Sequence, residues 1–197
     1  GGKVGVNLKA GKNLVGAFHA LSRERADARR FPAISPLESW TRYQGIIADK
    51  TRKQILAFLA RAAEIDQMMK VIGEEGTSLN DFLIYLKAEL FDAVYLQQNA
   101  FDEVDSATSE DRQIGFFSII SKLMDTELRF EDKEAARRMF NQLRQLFIDY
   151  NCTPWDTDAL SDIVARIDAL VERHTDRAAG HPPDQPVHAH LPGHGLC

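Results

Sequence analysis

Polar amides and an aromatic residue follow one another where an apolar helical pattern ends. Gln97, Gln98 and Asn99 precede Ala100 and Phe101. Amide side chains carry both donors and acceptors, which are the groups needed to recognise the edge of a heterocyclic base. Phe101 would then supply a ring wall. The alternative from chemistry alone is a plain helix end, in which Asn99 takes a left-handed backbone and Phe101 packs into the core.

The elements before this stretch indicate how it is positioned. Apolar residues recur at three- and four-residue spacings from Leu79 to Leu90, which predicts a helix. Ser78 with Asp81 three residues later is typical of a helix start. The apolar pattern breaks at Gln97, so we expect the helix to end there and the amides to lie on the following turn.

A second aromatic lies in a proline-rich segment far upstream. Pro32 disfavours helical geometry at Phe31, and Pro36 has the same effect on Ser35. The sequence therefore predicts a stiff, extended crossing from which Phe31 projects. From the residues alone, Phe31 is interpreted as a packing residue at a domain junction.

Both stretches resemble one protein family, in the same order. The segments RRFPAISPLESW at 29–40 and LQQNAFDEVD at 96–105 resemble motifs of the catalytic A subunit of vacuolar and archaeal-type rotary ATPases. The resemblance extends roughly from Val15 to Tyr150. In that family, the aromatic of the first motif packs against the adenine ring of a bound nucleotide. The resemblance implies an adenine-binding pocket for ATP or ADP formed by Phe31, Gln98, Asn99, Ala100 and Phe101.

The resemblance also implies a role and partners. The family couples nucleotide hydrolysis in an α/β domain to rotation, so the expected partners are the B subunits and the central stalk. The expected location is cytoplasmic and peripheral to the membrane. The transported ion and the direction, synthesis or hydrolysis, are set outside this sequence.

The groups needed for phosphoryl transfer are not recognised in the chain. Such chemistry needs a phosphate-cradling loop and a hydroxyl that holds Mg²⁺. The glycine-rich opening has the wrong spacing for that loop, and Asn13 replaces the hydroxyl residue. We assign no catalytic residue and expect Mg²⁺ to be held by a missing domain. The parent subunit is an ATP hydrolase or synthase, and we expect this chain to be a C-terminal part that is inactive alone.

The predicted fold class is mainly α, a C-terminal helical bundle preceded by a short strand and helix that remain from the nucleotide-binding α/β domain. We divide the chain into a leader (1–12), the remnant edge with the adenine-side segment (13–48), the helical domain (49–174) and a disordered tail rich in His and Pro (175–197). A strand is predicted near 13–20, without its parallel partners. Residues 22–30 are predicted to form a short charged helix with a solvated face.

The remaining helices are predicted from their apolar stripes. One begins near Thr51 and ends at Gly73, with Met68 and Met69 as core filler. Others begin near Ser109, Asp132 and Asp158. The predicted buried residues are Ile55, Leu59, Ala62, Ile65, Met69 and Ile72; Ile114, Phe117, Ile120 and Met124; Ala136, Met139 or Phe140, Leu143 and Phe147; and Leu160, Ile163 or Val164, Ile167 and Leu170.

Composition argues against several functional classes. A net charge of −5 disfavours a general nucleic-acid binder, and no apolar run reaches the roughly 20 residues that cross a bilayer. The acidic link at 102–111 and the tail histidines fit no metal-ligand spacing, so no metal site is predicted. The competing hypothesis is a stand-alone helical protein-interaction module without nucleotide binding. The two hypotheses differ in whether Phe31 and Phe101 converge.

Overall fold

The computed structural model describes residues 17–41, 45, 47–97, 102–105 and 108–175. Most of these residues are helical, which confirms the predicted fold class. In chain order the elements are β1 (Ala17–Leu21), α1 (Arg23–Asp27), β2 (Ile34–Thr41), α2 (Asp49–Ile72), α3 (Leu79–Phe91), a π-helical turn (Asp92–Leu96), α4 (Glu110–Asp125), α5 (Lys133–Cys152) and α6 (Asp158–Thr175). Among the described helices, none is both long enough and apolar enough to cross a membrane.

The two strands form an antiparallel pair that lies ahead of the helical bundle. Ala17 pairs with Thr41 and Leu21 pairs with Ile34, with a register irregularity between them. The prediction that β1 lacks parallel partners is therefore incomplete, because β1 has an antiparallel neighbour in β2. The extended geometry imposed around the prolines continues into β2, and Pro36 is tolerated because each strand of a two-stranded sheet is an edge strand.

The helix ends follow the local signals in the sequence. The Ser78 hydroxyl accepts a hydrogen bond of 3.1 Å from the Asp81 amide, which confirms the predicted start of α3. The Asp132 carboxylate accepts one of 2.7 Å from the Ala135 amide at the start of α5. At the end of α2, Gly73 has φ +77°, a conformation that residues with a Cβ rarely adopt. Side chains and one glycine thus satisfy the free backbone groups of these helix termini.

The core is formed by α3, α4, α5 and α6, with α2 packed against it. The predicted inner faces of α5 and α6 are confirmed. The buried residues of these two helices are Ala136, Met139, Phe140, Leu143, Leu146, Phe147 and Tyr150, together with Leu160, Ile163, Ile167, Leu170 and Val171. Burial of these side chains supplies the main driving force for assembling the bundle.

Three predicted core residues are wrong. Ile114 on α4 is 47% exposed, because the inward stripe of that helix runs instead along Phe116, Ile120 and Leu123. The Phe116 ring draws this face inward by packing against aromatic rings of neighbouring elements, with 5.3 Å between its centroid and that of Phe147. On α2, Met68 and Ile72 also lie on the exposed side.

Two isoleucines of α4 provide a matched test of this face. Ile120→Ala removes a fully buried side chain, and we expect the free energy of unfolding to fall by about 2–5 kcal/mol. Ile114→Ala makes the same chemical change at an exposed position and should cost about 0.5 kcal/mol. Urea denaturation followed by circular dichroism measures both. Equal losses would contradict the orientation of α4.

Candidate functional site

A cleft of about 330 Å³ lies between the segment after α1 and the helical bundle. Phe31 and Gln97 both line it, and Phe31 is 57% exposed. The peptide bond from Phe31 to Pro32 is cis. The remaining lining residues are Arg29, Ala93, Asp105, Arg144, Ile148, Asn151 and Cys152. The cleft therefore lies between the proline-rich segment and Gln97, the residue that follows the π-helical turn.

Of the predicted site residues, Phe31 is the one whose position the structure describes. Gln98, Asn99, Ala100 and Phe101 lie outside the described residues. Their convergence with Phe31 therefore stays a prediction.

The π-helical turn Asp92–Leu96 brings the chain to the cleft. Such wide turns interrupt α-helices and often occur at functional sites. At its end Gln97 has extended backbone angles, φ −99° and ψ 148°, so the predicted helix end at this residue is confirmed. The Val94 carbonyl in the turn accepts a hydrogen bond of 2.9 Å from the Asn151 side chain on α5. Apolar spacing alone did not signal this change of helix type.

A buried ion cluster connects the N-terminal segment to the bundle. The Asp92 carboxylate, on a residue only 6% exposed, accepts hydrogen bonds from the guanidinium groups of Arg25 and Arg30. Arg30 also lies 3.3 Å from a Glu89 carboxylate oxygen on α3. The Gln97 amide donates to Asp92 at 3.5 Å, the outer limit of a hydrogen bond. Two positive and two negative side chains therefore balance one another beside the cleft.

The ion cluster corrects the sequence interpretation of 22–30. We predicted a solvated helical face there, and the pair Arg23–Asp27 has that character, with side chains 94% and 71% exposed. The Arg25 side chain, in contrast, is only 12% exposed and faces the bundle. Its partner Asp92 is 67 residues away in sequence, so local charge patterns could not reveal the pairing.

The ion cluster also changes the protonation equilibrium of Arg30. Burial acts to lower the pKa of its guanidinium, but the negative charges of Asp92 and Glu89 outweigh burial and raise that pKa above its ordinary value. Because an arginine pKa already lies far above neutrality, Arg30 stays charged throughout the working range of a protein.

A buried arginine secures the wall of the cleft on the α5 side. Arg112, 4% exposed, donates to the backbone carbonyls of Tyr150, Asn151 and Thr153, the last two at 2.9 and 2.7 Å. These carbonyls belong to the C-terminal end of α5, where no intrahelical donors remain. Fixing this end also fixes the Asn151 side chain that contacts Val94.

A second cavity, of about 250 Å³, shares Gln97, Asp105 and Asn151 with the cleft. Pro32, Arg112 and aromatic residues of the bundle line its other sides. Gln97 is thus accessible from two adjoining spaces.

A turn at 102–105 closes near the same wall. The Asp102 carboxylate accepts 2.9 Å hydrogen bonds from the backbone amides of Val104 and Asp105, and these bonds, led by that from Asp105, lower the pKa of Asp102. Burial, and then the Asp102 carboxylate, raise the pKa of the Cys152 thiol. In the part of the chain that the structure describes, no three side chains of the His, Cys, Asp and Glu types gather as a metal site would require.

The guanidinium of Arg112 can be tested by a change that keeps its charge. In Arg112→Lys, one compact ammonium replaces the planar guanidinium that donates to three carbonyls. Because the ammonium cannot reach all three, we expect the free energy of unfolding to fall by about 1–3 kcal/mol. The control Arg138→Lys, at a side chain 64% exposed on α5, should change stability by less than about 0.5 kcal/mol. Chemical denaturation measures both, and a tolerated Arg112→Lys would contradict the capping role.

The Cys152 thiol has a pKa that is sensitive to the negative charge of Asp102 at the cleft wall. Its raised pKa leaves less thiolate at any given pH, so the alkylation profile of the native protein should lie at higher pH than that of the urea-unfolded chain. Asp102→Asn keeps the acceptor of the turn but removes the negative charge. We expect this change to move the native profile part of the way back, since burial is the larger cause. Alkylation followed by peptide mass spectrometry measures the profile, and an unchanged one would contradict the contact.

The helical domain and most of the chain are similar to known proteins of one family. Residues 49–137 match the family model of the C-terminal domain of V and A type ATP synthase. The V-type ATP synthase alpha chain of Treponema denticola is 49% identical over 168 residues, covering 81% of this chain and 28% of the relative. That of Borreliella burgdorferi is 55% identical over 138 residues, covering 70% and 24%. This chain therefore spans less than a third of the length of these relatives. With its two motifs in order and its helical domain matched, the chain belongs to the V/A-type ATP synthase family, as a C-terminal part of an alpha chain.

Proposed function

We propose that this chain supplies the adenine side of a nucleotide pocket in the alpha chain of a V/A-type ATP synthase. The ligand is ATP or ADP. One observation carries the proposal. Phe31 belongs to the motif segment 29–40 and Gln97 to the segment 96–105, and both residues line the same cleft. The phosphates and Mg²⁺ are assigned to other parts of the subunit.

The chemistry of the cleft suits an adenine ring. Phe31 is more than half exposed, and stacking of its ring against a flat heterocycle would remove apolar area from water. The amides of Gln97, Gln98 and Asn99 can donate to and accept from the ring edge. The cleft volume, about 330 Å³, lies within the range of small-ligand pockets.

The charges that line the cleft favour an anionic ligand. Arg29 and Arg144 contribute two positive groups, while Asp105 contributes one negative group. A nucleotide carries its negative charge on the phosphates, so these arginines would attract it electrostatically without defining the base.

The same elements offer a route from the pocket to other subunits. Gln97 continues directly from α3 through the π-helical turn, and α3 packs against both α2 and α5. A change at the pocket would therefore move packed helices rather than an isolated loop. We propose the B subunits and the central stalk as the partners that contact those helices, in a complex where this chain is peripheral to the membrane.

Titration with adenine compounds tests the proposal. In the purified chain with isotope-labelled phenylalanine rings, we expect ADP to shift the NMR signals of Phe31 at concentrations of ~1 mM, the weak affinity expected without phosphate contacts. Adenosine should cause the same pattern of shifts at a higher concentration, because it lacks the negative charge that Arg29 and Arg144 attract. Inorganic triphosphate has no ring to stack on Phe31 and should not reproduce that pattern. The Phe130 ring, which lines a separate groove, is the internal control and should not shift.

Phe101→Ala distinguishes binding in a specific pocket from non-specific binding to Phe31. Because Phe101 is proposed as part of the ring wall, its removal should abolish the Phe31 shifts. Shifts that persist in this variant, or that triphosphate alone reproduces, would contradict an adenine site. A wild-type chain whose Phe31 signals do not respond would favour the helical interaction module.

A further inference from the structure

Asp92 contacts two residues that lie next to or within the lining of the cleft, Arg30 and Gln97. Its carboxylate accepts hydrogen bonds from Arg30 on one side and from the Gln97 amide on the other, the latter at 3.5 Å. Arg30 immediately precedes Phe31 in the sequence, and Gln97 itself lines the cleft. Consecutive Cα atoms are about 3.8 Å apart, so holding Arg30 restricts where Phe31 can be.

The contacts of Asp92 differ in kind from an ordinary surface ion pair. The residue is 6% exposed, and its second arginine partner, Arg25, has a side chain that is only 12% exposed. Water therefore competes little for these groups, and charge-assisted hydrogen bonds are strong and directional under such conditions. The carboxylate restrains two chain segments that are 62 residues apart.

We propose that Asp92 is a positioning residue for nucleotide binding, because it fixes the separation of Phe31 and Gln97 across the cleft. It does so through Arg30 and Gln97 and does not contact the ligand. This inference rests on the proposed function and adds the residue that organises the pocket before a nucleotide arrives. Without it, Phe31 and the Gln97 side-chain amide would have to be ordered on binding, which lowers affinity.

The test compares two identical chemical changes at different places. Asp92→Asn removes the charge that holds both arginines. Asp168→Asn makes the same change in an exposed pair, with the Lys122 ammonium at 2.9 Å, on the far helices α4 and α6. For each variant, ADP affinity is measured from NMR shifts at a temperature where the chain is folded, and thermal unfolding is measured separately.

We expect Asp92→Asn to weaken ADP binding about tenfold and to displace the resting signals of the Phe31 ring and the Gln97 amide together. Asp168→Asn should leave the ADP affinity and the resting signals of Phe31 and Gln97 unchanged. If Asp92→Asn does not fold, Arg30→Gln decides, because it removes the same link while Asp92 stays paired with Arg25.

The outcomes separate the inference from the proposed function. An unchanged ADP affinity with a lower unfolding temperature would make Asp92 merely structural and overturn the inference while the pocket stands. If the wild-type chain binds no ADP, the proposed function fails. The resting signals then decide: joint displacement of Phe31 and Gln97 supports Asp92 as their positioning residue, and unmoved signals overturn it.

Discussion

The contact of the Asp92 carboxylate with two guanidinium groups is the interaction on which the arrangement around the cleft depends. A carboxylate removed from water costs several kcal/mol unless opposite charges and hydrogen bonds compensate it. Here the compensation comes from Arg25 and Arg30, which lie on a different part of the chain. Such a cluster adds little net stability. Any arrangement that separates its members, however, leaves a buried charge whose desolvation is no longer compensated. It therefore selects one placement of the N-terminal segment on the bundle.

The bundle itself is tied together at its helix ends. The last carbonyls of a helix have no donors within the helix and need partners from elsewhere. Arg112 serves those of α5, and the Lys87 ammonium serves those around the end of α4, donating to Met124 and Thr126 at 2.8 and 2.7 Å. Burial lowers the pKa of Lys87, against the opposing charge of Asp125. Each of these two helix ends is thus completed by a side chain from another helix, which links backbone geometry to tertiary packing.

The features that the sequence predicted are those that depend on neighbours along the chain. The helix start at Ser78 was predicted correctly because a cap and its partner are three residues apart, and the start near Asp132 because the apolar stripe of α5 follows it. The stripe on α4 was misplaced at Ile114, because a period of 3.6 residues defines a face only approximately and ring packing decided the rest. The pairing of β1 with β2 and the contacts of Asp92 were missed, since both join distant segments. Around the cleft, the motif singled out Phe31, whose role stays a prediction, while Asp92 and Arg112 carry no local signature.

The π-helical turn has a consequence for the register of the chain. Each residue of a helix rotates the chain by a fixed angle, about 100° in an α-helix and less in a π-helix, so a single insertion or deletion within Asp92–Leu96 would change the direction in which Gln97 leaves the turn. Gln97 would then leave the cleft, although the hydrophobic composition of the helix would barely change. The length of this five-residue turn is therefore as much a part of the site as the identity of any side chain. Homologous chains that keep the cleft should vary in the residues of the turn more readily than in their number.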